Sequence, residues 1–131
     1  MDERTGQLLK FLGQASMQFK RSEVAYANYM RDGRKFIHAR ILKACNDELR
    51  SLLLKYGHLL SEPLRDDAVT LIAHYDIWIE RWNALEQRQH VALDDAFVFE
   101  NEHRFPKEAA QRLERAFENT REDAGHPPIN K

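Results

Sequence analysis

The sequence predicts an all-α fold, an antiparallel bundle of four to five helices with a long, partly extended loop before the last helix. Helix-breaking residues are scarce, with five glycines and four prolines among 131 residues. Long segments repeat their apolar residues at spacings of three and four, which is the period of an amphipathic helix. We expect residues 1–119 to form a single helical domain and residues 120–131 to form a flexible C-terminal tail.

The composition is typical of an ordinary globular protein. Hydrophobic residues make up 43% of the chain and charged residues 31%, and a chain of this length buries a substantial core. No stretch approaches the roughly 18 consecutive apolar residues of a membrane span, and the N-terminus lacks the basic start of a signal peptide. Cys45 is the only cysteine, which excludes an internal disulfide. We therefore expect a cytoplasmic protein.

Charge is distributed unevenly along the chain, although its net value is −1. Residues 1–57 carry 11 Lys or Arg against 6 Asp or Glu, whereas residues 58–131 carry 9 against 15. Such asymmetry is typical of a nucleic-acid-binding face or of two oppositely charged layers that attract each other. The basic residues between 31 and 43 are spread around their predicted helix, so we favour the charged layers, within one fold or across a dimer, over nucleic-acid binding.

The first half of the chain predicts two helical segments separated by a turn. The apolar pattern of residues 4–30 fits either one long helix or two shorter ones. Asp32-Gly33 predicts a break, because Asp-Gly is a common turn sequence. Residues 34–56 form the next helix, and Gly57 suits the left-handed position that ends many helices. The predicted buried face of this second segment comprises Ile37, Ile41, Ala44, Cys45, Leu49, Leu52, Leu53 and Tyr56.

Residues 61–86 are the most conspicuous segment, because they carry both tryptophans on one apolar face. Ser61 is placed to cap the helix, and Pro63 falls in the first turn, where its missing amide hydrogen costs nothing. Since the connector after residue 56 is short, segments 34–56 and 61–86 are expected to form an antiparallel hairpin.

Residues 87–105 interrupt the helical pattern. Phe97, Val98 and Phe99 lie among acidic residues without a helical period, and we expect an extended loop that docks its phenylalanines onto the helical core. A loop of this length is unusual in a compact domain and is often functional. Pro106 then begins the last helix.

Arg31 and His38 are the candidate catalytic residues. Six residues, DGRKFI, separate them, and this spacing resembles the Arg-x(4–6)-His motif of HEPN-type ribonucleases, with Asp32 as the polar residue after the arginine. The resemblance covers eight residues. It implies a small helical protein that pairs Arg31 and His38 across a dimer, with His38 as the base for the 2′-hydroxyl and Arg31 stabilising the phosphate charge.

A second group of candidates is aromatic and would line either a ligand pocket or an interface. Aromatic side chains at helical spacing more commonly form a core or an interface than a ligand site. The predicted face is wide, so either the 87–105 loop or a second chain has to cover it. The candidates are His74, Tyr75, Trp78, Trp82, Phe97 and Phe99.

The sequence offers little support for a metal site. Glu100 and His103 have the spacing that di-iron carboxylate bundles use in each of two helices. The pattern occurs once here and lies just before Pro106, so we predict no metal and no other cofactor.

The overall pattern favours a non-enzymatic protein–protein interaction module that self-associates, most simply as a homodimer. Two alternatives stay open. One is a HEPN-like ribonuclease that uses Arg31 and His38. The other is a helical binding protein with an aromatic-lined small-molecule pocket.

Overall fold

The computed structural model describes residues 2–99 and 104–125. Four α-helices pack together in it, so the all-α class is confirmed and the number of helices is four rather than four to five. Within the described ranges there is no β-strand, only an isolated antiparallel bridge between Lys35 and Ala96. The helices are α1 (Glu3–Arg31), α2 (Phe36–Tyr56), α3 (Glu62–Gln87) and α4 (Lys107–Asp123).

Helix α1 is one uninterrupted helix of 29 residues. Its first turn is capped by Asp2, whose carboxylate accepts a hydrogen bond from the Thr5 amide at 2.7 Å. The helix ends at Arg31, and the chain reverses through Gly33 and Arg34, which have positive φ angles of 72° and 54°. Glycine adopts this backbone conformation readily, which explains why the predicted break falls at Asp32-Gly33.

The end of α2 differs from the prediction. Gly57 has φ −58° and ψ −24°, a right-handed conformation, and the chain continues into a 3₁₀ turn, Gly57–Leu59. The prediction of a left-handed cap was therefore wrong. The tighter 3₁₀ turn keeps Leu59 and Leu60 buried, and the burial of these two side chains accounts for the continuation.

The buried face of α2 is also rotated relative to the predicted one. Ile37 and Ala44 are exposed, whereas Phe36, Ala39 and Asn46 are buried. Phe36 packs against Trp82 and Phe97, so contacts with α3 and with the following loop set the orientation of the start of α2.

The core forms two clusters. One joins all four helices and includes Phe11, Leu49, Leu71, Tyr75 and Leu113. The other, which we call the aromatic cluster, consists of Tyr29, Phe36, Ala39, Trp78, Trp82 and Phe97. The aromatic cluster holds the segment after α3 against the helices.

The two oppositely charged halves of the chain contact each other within the fold. Helix α2 packs against α3 and α1 packs against α4, and the guanidinium of Arg50 on α2 pairs with the carboxylate of Asp76 on α3. Helix α4 extends past residue 119 to Asp123, and residues 126–131 lie outside the described part. None of the described helices is long and apolar enough to cross a membrane.

Candidate functional site

A cavity of about 750 Å³ opens between the helices. All four helices contribute to its lining, together with Phe99, Arg104 and Phe105 from the segment between α3 and α4. The volume lies within the range of small-molecule sites, roughly 300–1,000 Å³. We call it the aromatic cavity, because its lining includes the aromatic residues Phe19, Tyr26, Tyr29, Tyr75, Trp78, Trp82, Phe99 and Phe105.

Two tryptophans form one wall of the aromatic cavity. Trp78 and Trp82 are one helical turn apart on α3, so their rings lie on the same face, with centroids 5.6 Å apart and planes inclined by 15°. The indole N–H of Trp82 donates to Glu86 Oε1 at 3.1 Å, which fixes that ring. Phe99 packs on Trp78 at 4.9 Å between centroids. Trp78, Trp82 and Phe99 therefore form a closely packed aromatic wall.

Backbone and side-chain hydrogen bonds hold the segment after α3 in place. The Tyr29 hydroxyl donates to the Phe97 carbonyl at 2.6 Å and accepts from the Phe99 amide at 2.9 Å. The Phe97 amide donates to the Arg34 carbonyl, and the Phe36 amide donates to the Asp95 carbonyl, each at 2.8 Å. This arrangement buries Phe97 completely and places Phe99 in the cavity wall.

Two largely buried polar side chains in the cavity lining have no hydrogen-bond partner among the residues that the structure describes. Asn46 is 7% exposed and Tyr75 is 1% exposed, and neither the carboxamide nor the hydroxyl hydrogen-bonds to any residue in 2–99 or 104–125. Every fully enclosed polar side-chain atom in those ranges has a partner, so these two polar ends must keep some accessible surface. Burial raises the pKa of the Tyr75 hydroxyl, which therefore stays protonated and able to donate.

Charged side chains also contribute to the cavity lining. Glu23 on α1 and Glu114 on α4 line one end, and Arg104 and Lys107 also contribute to the lining. Burial raises the pKa of the Glu114 carboxyl, the nearby Glu23 carboxylate raises it further, and Lys20 acts in the opposite direction. The two glutamates are thus close enough to interact.

Five of the six aromatic-group candidates meet at this cavity. His74, Tyr75, Trp78, Trp82 and Phe99 line it, whereas Phe97 lies beneath the wall, 4.7 Å from the Trp82 ring between centroids. The ring of His74 packs against Tyr75 and Phe105 at 5.5 and 5.4 Å. The segment after α3 covers the wide aromatic face of α3 at Phe97 and Phe99, and does so within one chain.

Arg31 and His38 lie on different elements and outside the cavity lining. Arg31 ends α1 and its guanidinium donates to the Asn28 side chain. His38 lies in the first turn of α2, with Nε2 3.0 Å from Asp32 Oδ2. The imidazole of His38 is thus hydrogen-bonded to Asp32, the polar residue that follows the arginine in the motif. The ribonuclease role stays a prediction. Glu100 and His103 lie outside the described residues.

Sequence reasoning missed Asn46, Glu23 and Glu114 as cavity residues. Asn46 carried a usable signal, because it lies three residues before Leu49 and is a polar residue on an inward-facing stripe of α2. Glu23 also carried a signal, because it shares a half-polar stripe of α1 with Phe19 and Tyr26 by helical spacing. Glu114 carried none, since it belongs to an ordinary charged stretch and only the packing of α1 against α4 brings it near Glu23. Comparison of the chain with protein-family models, with curated proteins and with solved structures finds no match.

Proposed function

We propose that this protein binds a small, largely apolar aromatic molecule in the aromatic cavity. The observation that carries the proposal is the combination of an aromatic wall with two largely buried polar side chains, Asn46 and Tyr75, that have no hydrogen-bond partner among the described residues. Ligand sites typically combine predominantly apolar walls with a few polar groups that orient the ligand.

Energetics favour a bound molecule over an empty cavity. The polar ends of Asn46 and Tyr75 keep accessible surface, and a ligand that carries a donor or acceptor replaces water there with a direct hydrogen bond, which contributes about 0.5–1.5 kcal/mol. An aromatic ring packed against Trp78, the more exposed of the two tryptophans, adds apolar burial and about 0.5–1.5 kcal/mol of aromatic contact beyond it. The wall is already formed, so little ordering is needed on binding.

A neutral aromatic alcohol tests the proposal. We expect 1-naphthalenemethanol to bind at a single site in calorimetric titration and to shift the indole N–H resonances of Trp78 and Trp82 in NMR spectra. Leu42→Trp places a larger side chain in the cavity from α2, where Leu42 is half-buried and lines it. This variant should abolish binding while keeping the helical circular dichroism spectrum.

Leu54→Trp is the matched control, because Leu54 lies on the same helix, is 56% exposed and is not part of the cavity lining. It should bind like the wild type. Absence of binding to the wild type, or equal binding by both tryptophan variants, would refute the proposed cavity function.

A second candidate function is self-association through an open apolar groove on another face. The groove has a volume of about 680 Å³ and is lined by Leu9, Gly13, Met17, Leu52 and Phe117, with charged residues of both signs at Lys10, Glu48 and Arg121. Met17 is 70% exposed. A surface that carries both signs can pair with its own copy across a two-fold axis.

Light scattering at micromolar concentration tests this second candidate. We expect the mass of a dimer for the wild type and of a monomer for Met17→Glu, because a buried unpaired carboxylate disfavours the contact. Val69→Glu, at an exposed position outside the groove, should stay dimeric. A monomeric wild type would refute the proposed self-association and would not affect the proposal of ligand binding in the cavity.

A further inference from the structure

Glu23 and Glu114 line one part of the aromatic cavity, which we call the acidic end. Two carboxylates beside aromatic rings suit the binding of a positively charged group. Glu23 lies between Phe19 and Tyr26 on one face of α1, four residues after the first and three before the second, and all three line the cavity. Glu114 approaches from α4, half-buried. Neither glutamate forms a salt bridge with a residue that the structure describes, and Lys20 offsets their negative charge only in part.

The basic residues of the lining are placed to interfere little with this end. Lys107 and Glu114 are seven residues apart on α4, which separates them by about 10 Å along the helix axis. Arg104 and Lys107 are exposed, as is Glu23, so solvent and salt screen all three charges. Glu114 is less exposed, and its carboxylate therefore attracts a bound charge more strongly than the two basic residues do.

We propose that the ligand is an aromatic organic cation, an amine whose ring packs against Trp78 while its ammonium group lies between the carboxylates of Glu23 and Glu114. This inference rests on the proposed cavity function and specifies its ligand class. Aromatic faces attract an ammonium group through the negative charge of the ring face, and a carboxylate attracts it by direct Coulomb interaction. Burial disfavours the ionised carboxylate of Glu114 and so raises its pKa. A bound cation offsets this cost by attracting the carboxylate.

Three probes with one carbon skeleton separate the charge from the shape of the ligand. They are 1-naphthylmethylammonium, 1-naphthalenemethanol and 1-naphthoate, titrated calorimetrically at pH 7 and low salt. We expect the ammonium to bind about tenfold more tightly than the alcohol, a ratio that one partly desolvated cation contact provides. The naphthoate should bind more weakly than the alcohol.

The double variant Glu23→Gln/Glu114→Gln should bring the Kd values of ammonium and alcohol together. Its control, Glu108→Gln/Glu122→Gln, removes the same charge from exposed positions of α4 outside the cavity lining and should retain the wild-type ratio. If no probe binds, the proposed cavity function itself fails. If the alcohol binds and the ammonium binds no better, or if the naphthoate binds best, the cavity function stands and the cationic ligand class is overturned.

Discussion

Glu114 lines the cavity, and the ionisation of its partly buried carboxyl affects the free energy of unfolding. Burial raises the pKa of its carboxyl above the ordinary value of 4.5. Between that value and the raised one, the folded protein binds more protons than the unfolded chain, so the contribution of Glu114 to the free energy of unfolding falls as pH rises through this window. At pH 7 the ionised carboxylate therefore opposes folding.

We expect Glu114→Gln to melt at a higher temperature than the wild type at pH 7, and the difference to shrink at pH 4, where the wild-type carboxyl is largely protonated. Thermal unfolding followed by circular dichroism at both pH values measures it, and groups common to both proteins cancel in the difference. Glu108→Gln, in the exposed first turn of α4, should give no stabilisation, because a negative charge there favours the helix dipole. A Glu114→Gln protein that is less stable at pH 7 would contradict the argument.

At the scale of elements, Tyr29 connects α1 to the segment that completes the cavity wall. Its hydroxyl bonds to the Phe97 carbonyl and to the Phe99 amide. We expect Tyr29→Phe to lower the free energy of unfolding by about 1–2 kcal/mol, since two largely buried hydrogen bonds are lost. We also expect the Phe99 amide to exchange faster with solvent, because it loses its acceptor.

Urea unfolding and amide hydrogen exchange measure these two effects. Tyr26→Phe is the matched control, because Tyr26 lies on the same helix and is 55% exposed. It should leave both the unfolding free energy and the Phe99 exchange rate unchanged. Equal exchange at Phe99 in Tyr29→Phe and the wild type would show that packing alone holds the segment.

The helices could be predicted where the residues that begin or end a helix agree with the helical spacing of the apolar residues. Segment 61–86 matches α3 (Glu62–Gln87) within one residue, because a cap position, a first-turn proline and a sustained apolar face all indicate the same helix. Gly57 was not predictable, since glycine after a helix suits both a left-handed cap and a 3₁₀ continuation. The choice depends on the burial of Leu59 and Leu60, which is a tertiary property.

At the scale of the whole molecule, the cavity could be predicted only in part. The aromatic face of α3 was visible in the sequence, because Tyr75, Trp78 and Trp82 recur at helical spacing. The opposing walls were not, since they depend on how far apart α1, α2 and α4 are held when their own side chains pack. That Asn46 has no hydrogen-bond partner among the described residues was not predictable either. A sequence shows which side chains need a hydrogen bond, but only the packed structure shows which of them form one.

Because the cavity spans all four helices, a ligand bound in it should stabilise the whole fold. Binding to the folded state alone adds RT ln(1 + [L]/Kd) to the free energy of unfolding, about 1.4 kcal/mol at ten times Kd. For a chain of this size that corresponds to a rise of about 5 °C in the melting temperature. We expect 1-naphthalenemethanol to produce this rise in the wild type, at a concentration set by the calorimetric Kd. Leu42→Trp should show no rise. An equal rise in both proteins would mean that the alcohol acts elsewhere on the surface, and that the cavity is a packing defect rather than a binding site.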